Sequence, residues 1–348
     1  MKLAGTSHAG KLLLLRKCIT ILIEFLPALV YEEKNSSQAV AMHLSVLSPA
    51  SPEAAHIVWL WNVCLYVCAF ILAVVTISIL YILVRYRKRD EAEPDQSTGN
   101  RTLEIAWTAV PIALVAVLFT LSVAIARTVN HPVDRPPDVI VTGHQWWWEI
   151  RYPQSKVTTA NELHLPVGRE MLIAVETADV IHDFWVPRLG RKIDAIPGRR
   201  NTVWIRATQP GEYQGACAEF CGAEHAWMRF AVVVESPAAY AAWLAHQAAP
   251  AARPVQGDAA EGARRFGELT CANCHNITGI NAQKSYGPDL THVASQETLA
   301  GERLRNTPEN LTDWLRQPNI IKPNCFMPNL ELSHRDLTVL TAFLETLR

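Results

Sequence analysis

The sequence predicts three parts of different class in one chain: two membrane-spanning helices, an all-β sandwich or barrel, and a small all-α domain. Three observations carry this. Two long runs lack any charged residue, the stretch from Asp138 to about Glu235 breaks into short β-rich segments punctuated by Pro and Gly, and the last 90 or so residues return to helical patterns. A chain of 348 residues has room for two to three domains, at roughly 150 residues each. Lys+Arg 32 against Asp+Glu 33 gives a net charge of −1. No basic excess exists to meet phosphates, so nucleic acid is excluded as the partner. Charged residues are 19% of the chain, below the roughly 25% of soluble domains. That excludes a disordered chain and fits membrane segments.

Ile57 to Val84 is 28 residues without one Asp, Glu, Lys or Arg. At about 1.5 Å per residue it spans roughly 42 Å, enough for a tilted transmembrane helix. Ile105 to Ala126 is a second uncharged run of 22 residues. Pro111 lies in its second turn, where a neighbouring helix can satisfy the freed carbonyl. Core helices of soluble proteins are rarely this long and apolar on every face. The intervening loop carries Arg85, Arg87, Lys88, Arg89 and Arg101. The positive-inside rule puts that loop in the cytoplasm, so both ends of the hairpin face outward. In a Gram-negative cell the outer compartment is the periplasm. The first 40 residues are apolar in two stretches, interrupted by Arg16, Lys17 and Glu24. They read as a poor signal peptide, as a third weak membrane segment, or as untranslated sequence ahead of a start at Met42. No lipobox precedes Cys18.

The outward part reads as strands at Val139–Tyr152, Glu170–Thr177, Asn201–Thr208 and Trp227–Glu235. They are rich in Val, Ile, Trp and Thr, and such spacing predicts a sandwich or barrel. Pro237 to Ala249 is Ala-rich and reads as a short helix, and Pro250 to Asp258 as a linker. Helical patterns follow at Gly257–Leu269, Pro308–Arg316 and Ser333–Leu347.

Two constellations carry chemistry. In Cys217-Ala-Glu219-Phe-Cys221-Gly-Ala-Glu-His225-Ala-Trp-Met228, two thiolates, an imidazole and a thioether fall within 12 residues. Thiolate and thioether are soft ligands that suit copper, and imidazole suits it too. Met is a poor zinc ligand. His182 supplies a second imidazole. A disulfide between Cys217 and Cys221 is the competing reading, disfavoured by His225 and Met228 at their set spacing. Two thiolates shared between two copper ions would spread one electron hole over both and lower the cost of reorganisation. The second constellation is Cys271-Ala-Asn-Cys274-His275, the C-x-x-C-H signature of c-type haem attachment. Two thioethers fix the porphyrin and the adjacent His ligates iron. A sixth ligand, commonly Met, raises the potential. Met327 lies 52 residues after His275. No second Cys pair exists in this region to make a zinc ribbon. Cys325 reads as a spectator thiol, and Cys64 and Cys68 as packing residues of the first membrane helix.

The pattern Cys-x₃-Cys-x₃-His-x₂-Met with an upstream His resembles the dinuclear copper A site of cytochrome c oxidase subunit II. The resemblance runs from about Pro52 to Glu235. It includes Leu103-Glu104-Ile105-Ala106-Trp107-Thr108, Gly143-His144-Gln145-Trp146-Trp147-Trp148, Lys192–Asp194, Pro197-Gly198-Arg199 and Pro210-Gly211-Glu212-Tyr213. It implies a transmembrane helical hairpin followed by an all-β, cupredoxin-like Greek-key barrel. It further implies that Cys217 and Cys221 bridge both coppers and that His182 and Met228 complete one. His225 and the backbone carbonyl of Glu219 would complete the other. The Glu219 carboxylate matches a family residue that reaches a Mg²⁺ or Mn²⁺ site shared with subunit I. Trp146 matches an exposed tryptophan that admits electrons to copper. Glu104 matches a carboxylate at the mouth of a proton channel of subunit I; a helix N-terminal Glu favoured by the dipole is the equal alternative. The one departure is Trp147, where many relatives carry Tyr. The quinol-oxidase counterpart, which has lost the copper ligands, is excluded.

The C-terminal part resembles small, all-α class I cytochromes c through the Cys271–His275 motif, the Pro323-Asn-Cys-Phe-Met327-Pro328 segment and Gly287-Pro288-Asp289-Leu290. The order of parts resembles subunit II of the caa-type haem–copper oxidases. The expected division is an N-terminal segment 1–51, the hairpin 52–130, the copper A domain 131–236, a linker 237–256 and a cytochrome c domain 257–348. The function implied is electron entry into a terminal oxidase: from a donor cytochrome c or another respiratory complex to haem c, to copper A, and on to subunit I. There, at a haem and copper B, O₂ is reduced to water with proton translocation. Subunit III and membrane lipid are further implied partners, and the bacterial inner membrane the implied location. No residue of this chain is expected to be catalytic at O₂. Two other readings are a subunit of a copper A-containing nitric-oxide reductase and a copper-storage or assembly protein. The fused haem domain argues against storage, which needs no electron donor.

Overall fold

A computed structural model describes residues 46–87, 99–130, 135–281 and 286–348. The readings of Cys18, of the first 40 residues and of Met42 fall outside the described residues. Helix α1 (Pro52–Arg85) is capped by Ser51, whose hydroxyl accepts from the Ala54 amide, with Pro52 in the first turn. Both are standard helix starts. Helix α2 (Arg101–Val129) is capped by Asn100 and carries Glu104 in its first turn and Pro111 inside it. Both helices extend beyond the uncharged runs, because caps and polar end turns prolong them into flanking sequence. Both are long and apolar enough to cross a membrane, and their large apolar side chains are exposed along most of their length.

The chain ahead of α1 is stitched to the β domain. The Ala50 amide donates to the Arg188 carbonyl, Ser51 to the Leu189 carbonyl, and Thr208 to the Ala50 carbonyl. The base of α1 is therefore fixed to the barrel by buried hydrogen bonds.

The β domain has ten strands: β1 (Val139–His144), β2 (Trp147–Tyr152), β3 (Val157–Ala160), β4 (Glu162–Pro166), β5 (Met171–Thr177), β6 (His182–Trp185), β7 (Ile193–Ala195), β8 (Asn201–Ile205), β9 (Gly211–Cys217) and β10 (Arg229–Glu235). One sheet runs β3-β2-β1-β5-β8 and the other β4-β10-β9-β6-β7. Pairs β1/β5 and β4/β10 are parallel; the other neighbours are antiparallel. The two inner faces share one core. At its centre Trp148, Phe184 and Phe230 interlock, with the Phe rings stacked at 4.8 Å and Trp148 edge-on to both, within the range of favourable ring pairs. The continuous strand expected over Val139–Tyr152 is instead a hairpin, turning at Gln145–Trp146. The expected strand at Trp227 begins only at Arg229, because His225–Trp227 forms a 3₁₀ turn.

Helix α3 (Pro237–Gln247) folds back onto the barrel. Trp243 stacks on His164 at 3.8 Å and meets Tyr152 edge-on, and Tyr240 is buried. His164 is itself bracketed by Glu162 and Glu235. The Ala-rich half of the expected linker is thus packed structure.

The C-terminal part comprises α4 (Gly257–Glu268), a 3₁₀ turn at Cys271–Asn273, a short β11/β12 ladder (Thr298–Leu299, Leu304–Arg305), α5 (Pro308–Arg316), α6 (Pro318–Ile321) and α7 (His334–Leu344). Helices α4, α5 and α7 bury Phe266, Leu311, Leu340 and Phe343 in a second core. His292 is buried. Its two ring nitrogens face the carbonyls of Ala249 and Arg348.

Candidate functional site

The first site lies where β6, β9 and the turn before β10 meet. Strand β6 opens with His182, β9 closes with Cys217, and the loop between β9 and β10 carries Glu219, Cys221, His225 and Met228. The structure brings all six together. Cys217 Sγ lies 3.8 Å from Cys221 Sγ, 3.9 Å from His182 Nδ1 and 3.2 Å from the Glu219 carbonyl. Cys221 Sγ lies 3.7 Å from His225 Nδ1 and 3.8 Å from Met228 Sδ. His182, Cys217, Cys221 and Met228 are buried and His225 is half-buried. The sulfur spacing is far beyond a disulfide bond. Two central sulfurs, each flanked by further donors at near-contact distance, are the arrangement two shared metal ions require.

Neighbours fix the orientation of His182. Its Nε2 faces Asp179 Oδ1 at 2.8 Å, which makes Nε2 the donor and leaves Nδ1, on the sulfur side, as the ligand atom. Asp179 is held in turn by the amides of Gln145 and Val180. On the opposite side, Gly143 leaves the ring its room: a Cβ there would stand 2.7 Å from His182 Cδ2. Burial alone would lower the His182 pKa, but Asp179 and Cys217 outweigh it and raise it. Cys217 is pulled down to about 3, first by its hydrogen bond to Cys221, then by His182 and the backbone groups of Asp183 and Glu219. The Cys221 thiol is pushed up by the same pairing and by burial. A metal that uses both sulfurs as thiolates must displace whatever protons they carry. This donor set fits copper.

Around the ligands the loop tips are apolar and exposed: Val180, Ile181 and Phe220 reach outward. The Glu219 side chain is exposed among them. Asp183 and Asp194 face each other across β6 and β7. Burial, then Asp194, pushes the Asp183 pKa up to about 7.

Sequence reading missed Asp179 and Gly143. The Asp179-Val-Ile-His182 spacing was the available signal for Asp179; Gly143 is legible only from the fold. Trp146 differs from expectation. It is 7% exposed and covered by Phe326 of the C-terminal part, the rings stacked at 5.5 Å. Its indole N–H donates to the Cys221 carbonyl at 3.0 Å. Glu104 sits on α2 in a shallow surface pocket with Ile105, Thr108 and Ile112, apart from the metal ligands.

The second site is in the C-terminal part. His275 Nδ1 donates to the Pro288 carbonyl at 2.8 Å, leaving Nε2 as the ligand atom. A Cβ on Gly287 would stand 2.8 Å from His275 Cε1, so this loop is shaped around the ring. Burial lowers the His275 pKa, which keeps the imidazole neutral as a ligand. Cys271 is half-buried, and both it and Met327 border the second core. Tyr286 and Ile320 are largely exposed apolar side chains of this part, of the kind a porphyrin covers. These residues fit a covalently bound haem.

Comparison with known proteins identifies the domains in which the two clusters lie. Residues 39–125 match the model described as cytochrome C oxidase subunit II, transmembrane domain, and residues 154–236 match its periplasmic domain. Residues 259–348 match cytochrome c. Cytochrome c oxidase subunit 2 of Alkalihalophilus pseudofirmus is 34% identical over 321 residues, covering 88% of this chain and 91% of the relative. The subunit of the same name from Bacillus sp. (strain PS3) is 33% identical over 286 residues, covering 76% and 80%. A crystal structure of the periplasmic domain of subunit II of cytochrome oxidase from Bradyrhizobium japonicum aligns at 34% identity and TM-score 0.32, covering 33% of this chain and 96% of that one. These relatives are named as subunits of an oxidoreductase complex. The chain belongs to the cytochrome c oxidase subunit II family, in a form whose copper-binding β domain is followed by a fused C-terminal cytochrome c domain.

Proposed function

We propose that this chain carries electrons one at a time from its cytochrome c domain to its copper domain and on to subunit I of a terminal oxidase, where O₂ is reduced to water with proton translocation. The observation that carries the reading is the joined donor cluster of His182, Cys217, Cys221, His225 and Met228 in a chain that also holds a C-x-x-C-H haem motif. When bound, copper A and haem c supply one-electron chemistry; the protein supplies their place and surroundings. His182, Cys217, Cys221, His225, Met228 and the Glu219 carbonyl would hold the copper, with the two cysteines at the centre of the set. Cys271 and Cys274 would hold haem c through thioethers, and His275 and Met327 would ligate its iron. Asp179 and the Pro288 carbonyl each hold an imidazole in the tautomer that leaves the ligand nitrogen bare.

The exposed apolar tip formed by Val180, Ile181 and Phe220 suits a partner surface, and we assign it to subunit I. There the Glu219 carboxylate would share a Mg²⁺ or Mn²⁺ ion. Helices α1 and α2 lie in the inner membrane of a bacterium, in contact with lipid and with the Glu104 end in the cytoplasm. Both redox domains are then on the periplasmic side. Subunit III and a donor cytochrome c, or another respiratory complex, complete the partners. Residues 52–130, 131–236 and 257–348 form the three functional parts, joined through 237–256.

A pyridine haemochrome spectrum of the complex, purified through a tag on this chain, tests the reading. Haem A beside haem c is expected. Haem B beside haem c with no haem A would redirect the assignment to a nitric-oxide reductase. Haem c alone would leave a freestanding carrier and overturn it.

A further inference from the structure

The cytochrome c domain does not hang from its linker. It is seated on the copper domain by a set of specific contacts, two of which fall on Trp146. Gln296 donates to Thr159 Oγ1 at 3.1 Å and to the Ala160 carbonyl at 3.0 Å. Gln214 donates to Glu302 at 2.9 Å. The Arg303 guanidinium lies 4.0 Å over the Trp227 ring, whose residue precedes the copper ligand Met228. Lys322 is 4% exposed, and its ammonium donates to the Trp146 carbonyl at 2.6 Å and the Ala300 carbonyl at 3.3 Å. Four residues along, Phe326 stacks on the Trp146 ring with a 23° tilt.

We infer that Phe326, Trp146 and Lys322 form a fixed bridge between the two redox domains: Phe326 and Trp146 provide the electronic contact, and Lys322 is the positioning residue that holds it. This rests on the assignments made under Proposed function. Phe326 is the covalent neighbour of Met327, the candidate iron ligand. Trp146 reaches the candidate copper ligand Cys221 through one hydrogen bond. From Met327 to Cys221 the path is therefore one peptide link, one ring stack and one hydrogen bond. Electron tunnelling decays less steeply along bonded and closely stacked atoms than across open gaps. The transfer is a one-electron step in which the haem side is oxidised and the copper side reduced. No bond is made or broken, and no proton needs to move along the bridge.

The buried amine suits a positioning role. Burial pushes its pKa down to about 8, with Glu224 pulling the other way. A desolvated ammonium is costly unless its hydrogen bonds are made. Sliding the domain by a few ångströms would strand that charge, so the pose is selected against its neighbours. A second consequence is exclusion. With Phe326 on its face, Trp146 is closed to any outside donor, and external electrons must enter at the cytochrome c domain.

The test uses the whole complex with both centres loaded. Haem c is reduced by a light flash and the rise of reduced copper is followed. Phe326→Leu keeps the apolar volume at a mostly exposed position and is expected to slow the internal transfer on the order of tenfold. Phe326→Tyr, which keeps the ring, is expected to restore it. A second readout needs no electron transfer: amine acylation followed by mass spectrometry. Lys322 is expected to react far more slowly than the exposed Lys156, and Lys322→Met to raise hydrogen exchange at residues 296–303. Unchanged transfer in Phe326→Leu with both spectra intact would overturn the bridge. Acylation of Lys322 as fast as Lys156 would overturn the pose. Loss of either metal spectrum from the wild type would instead overturn the assignments under Proposed function, while acylation would still decide the pose.

Discussion

Gly143→Ala isolates what the copper site asks of the barrel. The added methyl enters no solvent and touches no donor atom directly. It meets His182 Cδ2 at 2.7 Å and Cγ at 3.0 Å, about 0.7 Å inside an ordinary carbon–carbon contact. Gly143 carries no left-handed φ, so alanine brings no backbone strain of its own. The ring cannot simply retreat. It is fully buried, its Nε2 is tied to Asp179 at 2.8 Å, and the Trp148 ring stands 5.8 Å from it. Either the Asp179 hydrogen bond breaks or Nδ1 leaves its place beside Cys217. Overpacking of this kind costs about 1–3 kcal/mol. Spent on the ligand geometry, that is a copper affinity weaker by about 5- to 140-fold. The assay is a copper titration of the chelator-stripped protein, read by the copper–thiolate absorption, with haem c content as the internal control. Wild-type affinity in Gly143→Ala would refute the claim that Gly143 sets the position of His182.

Three further outcomes follow from the same structure. Met228→Leu, nearly isosteric at a fully buried position, should cost less than about 1.5 kcal/mol of stability yet alter the copper spectrum and leave haem c intact; loss of both would break the assignment of separate sites. Asp138 accepts from Arg135, Arg169 and the Leu172 amide. Burial would raise its pKa, but these partners outweigh it and hold it below the ordinary carboxylate value. Its contribution is therefore present above the unfolded pKa of about 3.9 and lost as pH falls through the lower folded value. Asp138→Asn should lose about 1–2 kcal/mol at neutral pH and flatten the acid limb of the stability curve, measured by denaturant unfolding between pH 2 and 7. Finally, among the described residues the interdomain hydrogen bonds other than those of Lys322 join neutral partners or an amide to Glu302, so the internal transfer rate should be nearly flat between low salt and about 0.15 M; a steep fall would point to a freely diffusing haem domain.

The parts of the site that could be read from sequence are those whose residues are close along the chain. Cys217 to Met228 spans one loop between two strands, so the spacing itself encodes the cluster. The haem motif is equally local. What was not legible depends on registers and contacts over long separations. Val139 to Tyr152 contains no Pro and its one Gly lies within a β-favouring run, so nothing local marks the turn at Gln145–Trp146. The antiparallel pairing of Gly143 with Trp148 decides it. The Ala-rich stretch after Pro237 is legible as a short helix, but its packing is not. Trp243 makes it a packed helix, because the indole finds the His164 ring and the Tyr152 edge on the barrel. Trp146 reads as an exposed residue by family likeness, and is covered only because a domain 180 residues further on brings Phe326 to it.

That last difference changes what the linker does. On a flexible tether, the haem domain would work at an effective concentration of roughly millimolar, and the rate would vary with linker length. Here the end of the linker is itself bound. The Ala251 amide donates to the Thr278 carbonyl, and His292 reaches the Ala249 carbonyl. Only the chain from about Ala252 to Gln256 is without such ties, and Val255 within it is 90% exposed. The two domains are then held by contacts at both ends of the joint: the linker at the back and Lys322 with Phe326 at the front. In such an assembly, encounter ceases to be a step. Lengthening the segment around Val255 with Gly and Ser should leave internal transfer unchanged, whereas a tether-limited rate should fall with every added residue.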